Sequence, residues 1–500
     1  MIEKYLEKTI NDKINLINLF FRTPTLTLTE ASLKTNLSAS KLMKHCRELN
    51  TIFKEQLSIT NDKREIHCHL KDSLKEFYLH ELYQKSNVLQ LLKFLIQNDT
   101  QHKPLSSFAK QQFLSSSAAY RIRESIMPLL EEFNLRLSKN TILGEEYRLR
   151  YFIALLQSKF GIEIYHVSAK DKMVIREFLF MGATNLRASN ALSESFLFFD
   201  ILLTLLWKRH DKHVHVPSSE MLTSLKEIAV YDYLSDCAGQ IIEPRQQIRL
   251  DSNDLDYLFL VYLTAVNSFA AQKWSDELTE QIVVIISSNT SFQSLFQPIS
   301  DLIPLSAENH DSLLRIVVYF AHHFILNLQQ FIPEKNYFSL DHYPGDLVVL
   351  EKLKPIVMNW LQEIKGTSLN QQYFFLFCRH IEQLIRNNLP KITVVLLTTD
   401  FVNAQLLTDY IYKHLSSQNI VFYSYYLLAD NIYNIRDLNA DIIITHKKLI
   451  PFVKEELAQD AVVTDFDYIE TRTHIHKIQN IILSLEEKNY QHYIHNHFKK

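Results

Sequence analysis

From residue 1 to about residue 390 the apolar side chains of this chain recur at a spacing near 3.6, and over the last hundred residues they gather into short β-branched and aromatic runs. The first pattern predicts amphipathic helices broken by polar turns such as NDTQHKP (98–104) and HVPSSE (215–220). The second comprises ITVVLLTT (392–399), NIVFYSYYLL (419–428), DIIITH (441–446) and AVVTDFD (461–467), separated by helical stretches, and predicts a small parallel α/β domain. At 500 residues the chain exceeds what one core serves, so a mainly α multidomain protein of about three to five compact units is expected.

Glycine is scarce, six in the whole chain against a usual share of about 7%. Loops that cradle phosphate need glycine because the backbone must approach the anion closely, and neither GxGxxG nor GxxxxGK[ST] occurs. The hydrolase signatures GxSxG and HExxH are also missing, so neither an enzyme nor a cofactor is expected. Four cysteines (Cys46, Cys68, Cys237, Cys378) form no disulfide framework and fit a reducing compartment. No run approaches the roughly 18 apolar residues of a membrane span, and MIEKYLEKTI carries charges where a signal peptide needs an apolar stretch. The expectation is a cytoplasmic protein with no membrane partner.

The formal net charge of -3 hides an asymmetry: residues 1–150 hold 23 Lys+Arg against 17 Asp+Glu, and the remainder is acidic. A basic end is the natural place for a polyanionic partner. In LTLTEASLKTNLSASKLMKHCRELN (26–50), Thr29 is expected to cap a short helix, Asn36-Leu37 to make a turn, and Ser38 to cap a second helix. On that second helix Leu42, Cys46 and Leu49 form one stripe. Ser40, Lys44 and Arg47 lie opposite, with Lys41 at the flank. The following LSITNDKREIHCHL (57–70) reads as a hairpin wing turning at Asn61-Asp62. Residues 104–152 repeat the plan. A short helix leads through Phe113-Leu114 to the cap Ser115, and the next helix buries Ala119, Ile122 and Ile126 while Ser116, Ser117, Tyr120, Arg121 and Arg123 stay outside. Side chains at that end of such a helix can reach base edges in a major groove. Pro128 should kink or restart the helix. NLRLSKNTILGEEYRLR then reads as a second wing. A zinc site from His45, Cys46, His67 and Cys68 is disfavoured, because alternation along a strand puts His67 and His69 opposite Cys68 and Cys46 belongs to the helix stripe.

Farther on, LDYLFLVYLTA (255–265) and NQQYFFLFCRH (370–380) share a tyrosine followed by apolar residues, and each trails another strongly apolar helix, FLFFDILLTLLWKR (196–209) or LLRIVVYFAHHF (313–324). Two helical domains of similar plan fit this spacing.

The stretch LSSSAAYRIRESIMPLLEEFNLRLSKN with LGEEYRLRYF, and the order of parts around it, resembles the Mga/AtxA-like family of bacterial transcription regulators. The resemblance covers essentially the whole chain. It implies winged helix-turn-helix units at 1–70 and 71–165, the latter with a linker helix, and helical phosphotransferase-system regulation domains (PRDs) at 166–290 and 291–390. An enzyme IIB-like α/β domain with its tail completes the chain at 391–500. It further implies a DNA-binding regulator, an activator linked to virulence or carbohydrate use, whose partners are double-stranded promoter DNA, a second copy held through the C-terminal domains, and the phosphocarrier protein of the sugar system. In related regulation domains a histidine accepts phosphate, but DLDYLFLV and NQQYFFLF put Val261 and Phe377 at its place. His310, His322, His323 and His380 remain as candidate acceptors. The loop after the first C-terminal strand, TTDFVNAQ (398–405), lacks the phosphocysteine of active enzyme IIB proteins. The alternative is an interaction or sensor subunit of the sugar system that does not touch DNA.

Overall fold

Apolar stripes at helical spacing and serine or threonine caps dictate most of the architecture. A computed structural model describes residues 2–62, 65–71, 74–185, 197–265, 276–304, 307–322, 324–332, 345–364, 366, 369, 371–399, 401–415, 419–457, 460–466 and 471–498. The chain divides into two compact units, the first made of Met1–Phe292, Val318–Ser339 and Leu361–Phe374, the second of Gln293–Val317, Leu340–Trp360 and Phe375–Lys500.

The first unit opens with α1 (Lys8–Arg22), β1 (Thr25–Thr27), α2 (Leu28–Thr35), α3 (Ala39–Phe53), β2 (Leu57–Asp62) and β3 (Glu65–Leu70). The three strands form an antiparallel sheet with β3 in the centre. Then come α4 (Lys75–Tyr83), α5 (Asn87–Gln101), α6 (Leu105–Gln111), α7 (Ser116–Ser125), α8 (Met127–Glu132), the hairpin β4 (Arg136–Ser138) and β5 (Thr141–Leu143), and α9 (Glu146–Phe160). Two predicted details shift. Thr27, not Thr29, caps α2: its hydroxyl accepts from the Glu30 amide while Glu30 reaches back to the Thr27 amide, a reciprocal box that the spacing T-x-x-E specifies. Asn61 and Asp62 lie within β2, paired with Ile66 and Glu65, so they do not form the expected turn. Ser38, Ser115 and the Pro128 restart at α8 stand where expected.

Helices α10 (Ala169–Asn185), α11 (Leu197–Lys208), α12 (Glu220–Lys226), α13 (Ala229–Cys237), α14 (Glu243–Gln246), α15 (Ser252–Ala265), α16 (Asp276–Ser287), α17 (Thr290–Leu302), α18 (Ala307–His322), α19 (Leu347–Glu363) and α20 (Gln371–Asn387) follow. The paired tyrosines have matching contacts. The Tyr257 hydroxyl on α15 donates to the Leu202 carbonyl of α11 at 2.9 Å, and that of Tyr373 on α20 donates to the Phe320 carbonyl of α18 at 2.8 Å. In each pair a tyrosine anchors one apolar helix to the backbone of the one before it, which satisfies a buried hydroxyl without an ion.

The second unit contains β6 (Ile392–Thr398), α21 (Phe401–Leu415), β7 (Ile420–Tyr426), α22 (Asn434–Asp437), β8 (Ile442–Thr445), α23 (Ile450–Phe452), β9 (Val462–Asp465) and α24 (Thr471–Phe498). The strands form an all-parallel sheet of order β7-β6-β8-β9. Both faces are covered. Val394, Leu396, Ile442 and Ile444 pack with Ile411 and Ile478 on one side, while Val395, Leu397 and Ile443 pack with Ile435 and Val453 on the other. Burial on two faces is why these strands read as unbroken apolar runs. Among the described residues no helix is long and apolar enough to cross a membrane.

Candidate nucleic-acid interface

Helix α3 is held from beneath by α1. Leu42, Cys46, Leu49 and also His45, which the sequence pattern left unassigned, are buried. His45 sits between two carboxylates, Nε2 at 3.5 Å from Asp12 and Nδ1 at 3.3 Å from Glu48. Asp12 also takes the ammonium of Lys41 at 2.6 Å, which ties that lysine to α1. Ser40, Lys44 and Arg47 remain exposed. The Lys44 side chain is 73% exposed and pairs with Glu48 at 3.9 Å, a weak solvent-screened contact that leaves its ammonium accessible to a phosphate. Helix capping by Ser38 fixes the N-terminal turn that carries Ser40.

Cys46 and Cys68 face the core of this small unit, where burial pushes their thiols up to about 11 and about 12, so both stay protonated near neutrality. His67 lies on the other face of β3, bonded to Thr25 at 3.2 Å. Among the described residues no group of three or more His, Cys, Asp or Glu side chains is arranged to hold a metal ion.

The second helix pair repeats the arrangement. Ser115 accepts from the Ala118 amide at 3.2 Å and caps α7; Ala119 and Ile126 are buried and Ile122 only half-buried. Ser116, Ser117, Tyr120 and Arg121 are exposed, Tyr120 at 57%. Arg123 differs from them. Its side chain is only 21% exposed and donates to the Lys139 carbonyl at the wing tip at 2.9 Å and to Glu124 at 2.9 Å. The buried Asn98 amide donates to the carbonyl of Asn140, the next wing-tip residue, at 2.9 Å. The β4–β5 wing is thus clamped from both sides. Asn98 carried no local sequence signal for this role.

The second wing is shorter than the sequence suggested: β5 ends at Leu143, and Glu146 to Arg150 belong to α9, where Arg148 and Arg150 are buried. Arg150 donates to Glu146 at 2.9 Å, and Arg209, from the end of α11, closes on the same carboxylate with bonds of 2.7 and 2.8 Å. Burial opposes the Arg209 charge, but the hydrogen bonds and field of Glu146 outweigh it and hold the guanidinium ionised. Arg148 donates to the Leu326 carbonyl at 2.8 Å.

The candidate phosphate acceptors are dispersed. His310 is exposed beside the Phe296 ring, and His380 is exposed on α20. His322 is fully buried with Nδ1 against the Tyr319 carbonyl, and His323 lies outside the described residues. Val261 and Phe377 are buried. In the C-terminal sheet the loop from β6 to α21 follows the buried Thr398, whose carbonyl accepts the Leu427 amide at 2.9 Å.

Three family models match this chain. They are the M protein trans-acting positive regulator (MGA) HTH domain over residues 7–65, the Mga helix-turn-helix domain over 71–157 and the MGA PRD domain over 172–348. Comparison with curated proteins finds no match. The two helix-turn-helix matches fall on the two capped and winged units, and the third covers the helical region that contains the Tyr257 anchor. Together these matches span most of the chain in the order of its elements, and the chain belongs to the Mga family of DNA-binding, PRD-containing transcription regulators.

Proposed function

We propose that this regulator binds promoter duplexes as a homodimer, with α3 and α7 entering grooves. Lys44, Arg47 and Arg121 neutralise phosphates; Ser40, Ser116, Ser117 and Tyr120 reach backbone oxygens and base edges. Lys41 and Arg123 act as positioning residues, the first through Asp12 and the second through the wing tip. One observation carries the reading: exposed hydroxyl, aromatic and cationic side chains gather on the outward face of two serine-capped helices, each followed by a hairpin.

The protein acts by binding, in the cytoplasm where promoters are accessible, and its effect on transcription is activation, as the family resemblance implies. We assign the domain boundaries given above from the sequence. Dimerisation through the C-terminal domain is supported by the β7 edge strand, beside which Tyr423 and Leu428 are exposed. Docking of the phosphocarrier protein is reserved for the exposed His310 and His380.

Titration of a mixed-sequence DNA duplex at several salt concentrations tests the interface. Lys44→Ala and Arg121→Ala should each weaken binding and lower the slope of log affinity against log salt by about 0.9, with melting temperature unchanged. Wild-type slopes in both variants would remove these residues from the interface. Native mass with and without the duplex tests the dimer.

A further inference from the structure

Phe113 stands in the turn that joins α6 to α7, with a left-handed backbone (φ 53°) and 98% of its surface exposed. The turn closes α6 in the Schellman manner: the Leu114 amide donates to the Ala109 carbonyl at 2.8 Å, and Phe113 occupies the left-handed position between. The chain makes the same closure elsewhere. Asn36, Asn134 and Gln247 take that position with φ of 54°, 54° and 55°, each followed by the corresponding amide-to-carbonyl bond from Leu37, Leu135 or Ile248. The match with Asn36 is closest, because Asn36-Leu37-Ser38 and Phe113-Leu114-Ser115 fill the same role between the two helices of each helix-turn-helix.

Every residue but glycine meets a Cβ clash in this region; asparagine offsets it with local hydrogen bonds from its short polar side chain, and phenylalanine has no polar group with which to do so. Phe113 therefore has an unfavourable backbone, and with 98% of its surface exposed its ring gains no burial among the described residues to offset it. An apolar ring kept fully in water at such a position is explained when a partner covers it.

We propose that the partner is duplex DNA and that the Phe113 ring packs on the apolar sugar and base carbons where the N-terminus of α7 meets the groove. This rests on the interface proposed above. Continuity argues for it: Phe113 lies three residues before Ser116, and the exposed run continues through Ser116, Ser117, Tyr120 and Arg121. Apolar wedges of this kind are an established way for proteins to grip a duplex. The first helix-turn-helix has Asn36 at the same place and so offers no ring there, and the two helix-turn-helix pairs of one chain bind by different chemistry at this turn.

The test is Phe113→Asn in the full chain with a mixed-sequence DNA duplex, alongside Arg121→Ala. Phe113→Asn should keep or raise the melting temperature and lower affinity about tenfold at every salt concentration, with the salt slope unchanged, because the ring neutralises no phosphate. Phe113→Trp should retain affinity and show indole quenching on addition of duplex. Affinity within about twofold of wild type for Phe113→Asn, while Arg121→Ala still binds weakly with a shallower slope, overturns the ring contact and leaves the interface standing. Wild-type affinity in both variants overturns both. A changed native mass of the DNA-free Phe113→Asn protein with affinity retained assigns the ring to a contact between copies and overturns the proposal as well.

Discussion

At the C-terminal end of α18, His322 has no exposed surface and its Nδ1 is held against the Tyr319 carbonyl. Burial pushes its pKa down to about 3 from an ordinary value of 6.5, with backbone hydrogen bonds opposing the shift only in part. The folded chain therefore keeps the ring neutral while the unfolded chain takes up a proton below about pH 6.5. Stability from this residue is complete above that value and is lost as pH falls towards the folded pKa, at about 1.4 kcal/mol per pH unit. His322→Gln removes the titration, so its denaturation midpoint should fall less than that of the wild type between about pH 7 and pH 5. Equal falls in the two proteins would show that other groups govern the acid limb. The same burial separates His322 from His310 and His380, since a phosphoryl donor must open the helix end to reach it. None of this was legible in the histidine count, because a buried and an exposed histidine at the end of an apolar helix have the same local pattern.

At the scale of elements, α7 and its wing are one working part. Arg121 and Arg123 differ by two positions, about 200° around a helix, so Arg123 lies on the side of the buried Ala119 and Ile126 although the sequence reading placed both arginines outside. The hairpin tip completes the difference: the Lys139 carbonyl, in a residue with φ of 54°, accepts from the Arg123 guanidinium. Arg123→Ala should then act through order. We expect a stability loss of about 1 kcal/mol, faster amide exchange in β4 and β5, and weaker duplex binding with a salt slope close to that of the wild type. Unchanged exchange together with a slope lowered as in Arg121→Ala would make Arg123 a phosphate contact instead. The capped starts of α3 and α7 were readable because a serine before an apolar stripe has one local meaning. The α2 cap was misplaced although T-x-x-E was present, because Thr27 ends β1 as well as capping the helix, and Thr29 was the threonine nearer the apolar stripe.

Across the first unit, the sequence pattern carried element types, their order and the buried faces of the helix pairs, all of which depend on neighbours a few residues apart. It could not carry the cluster in which Glu146 receives Arg150 from its own helix and Arg209 from a point 63 residues later, with Tyr165 at 2.7 Å from the same guanidinium. Arg148 and Arg150 read as part of the second wing because their partners are remote in sequence. This cluster joins the second helix-turn-helix to the end of α11 in the regulatory region, and two buried guanidinium groups share one carboxylate there. Removing that carboxylate leaves two cations together in a poorly solvated site, a loss on the order of 3–5 kcal/mol. Glu146→Gln should therefore lower the melting temperature sharply, and Arg209→Met in the same chain should recover part of the loss, because the second change removes a cation that the first left with the more distant Asp99 carboxylate at 3.8 Å. A double-mutant cycle measures this as a coupling of about 0.5–3 kcal/mol. If the two losses simply add, Glu146 and Arg209 are independent, and a change in the regulatory region has no path through this contact to the helix-turn-helix. With coupling present, Arg209→Met alone should also alter duplex affinity even though it lies outside the proposed DNA-binding face.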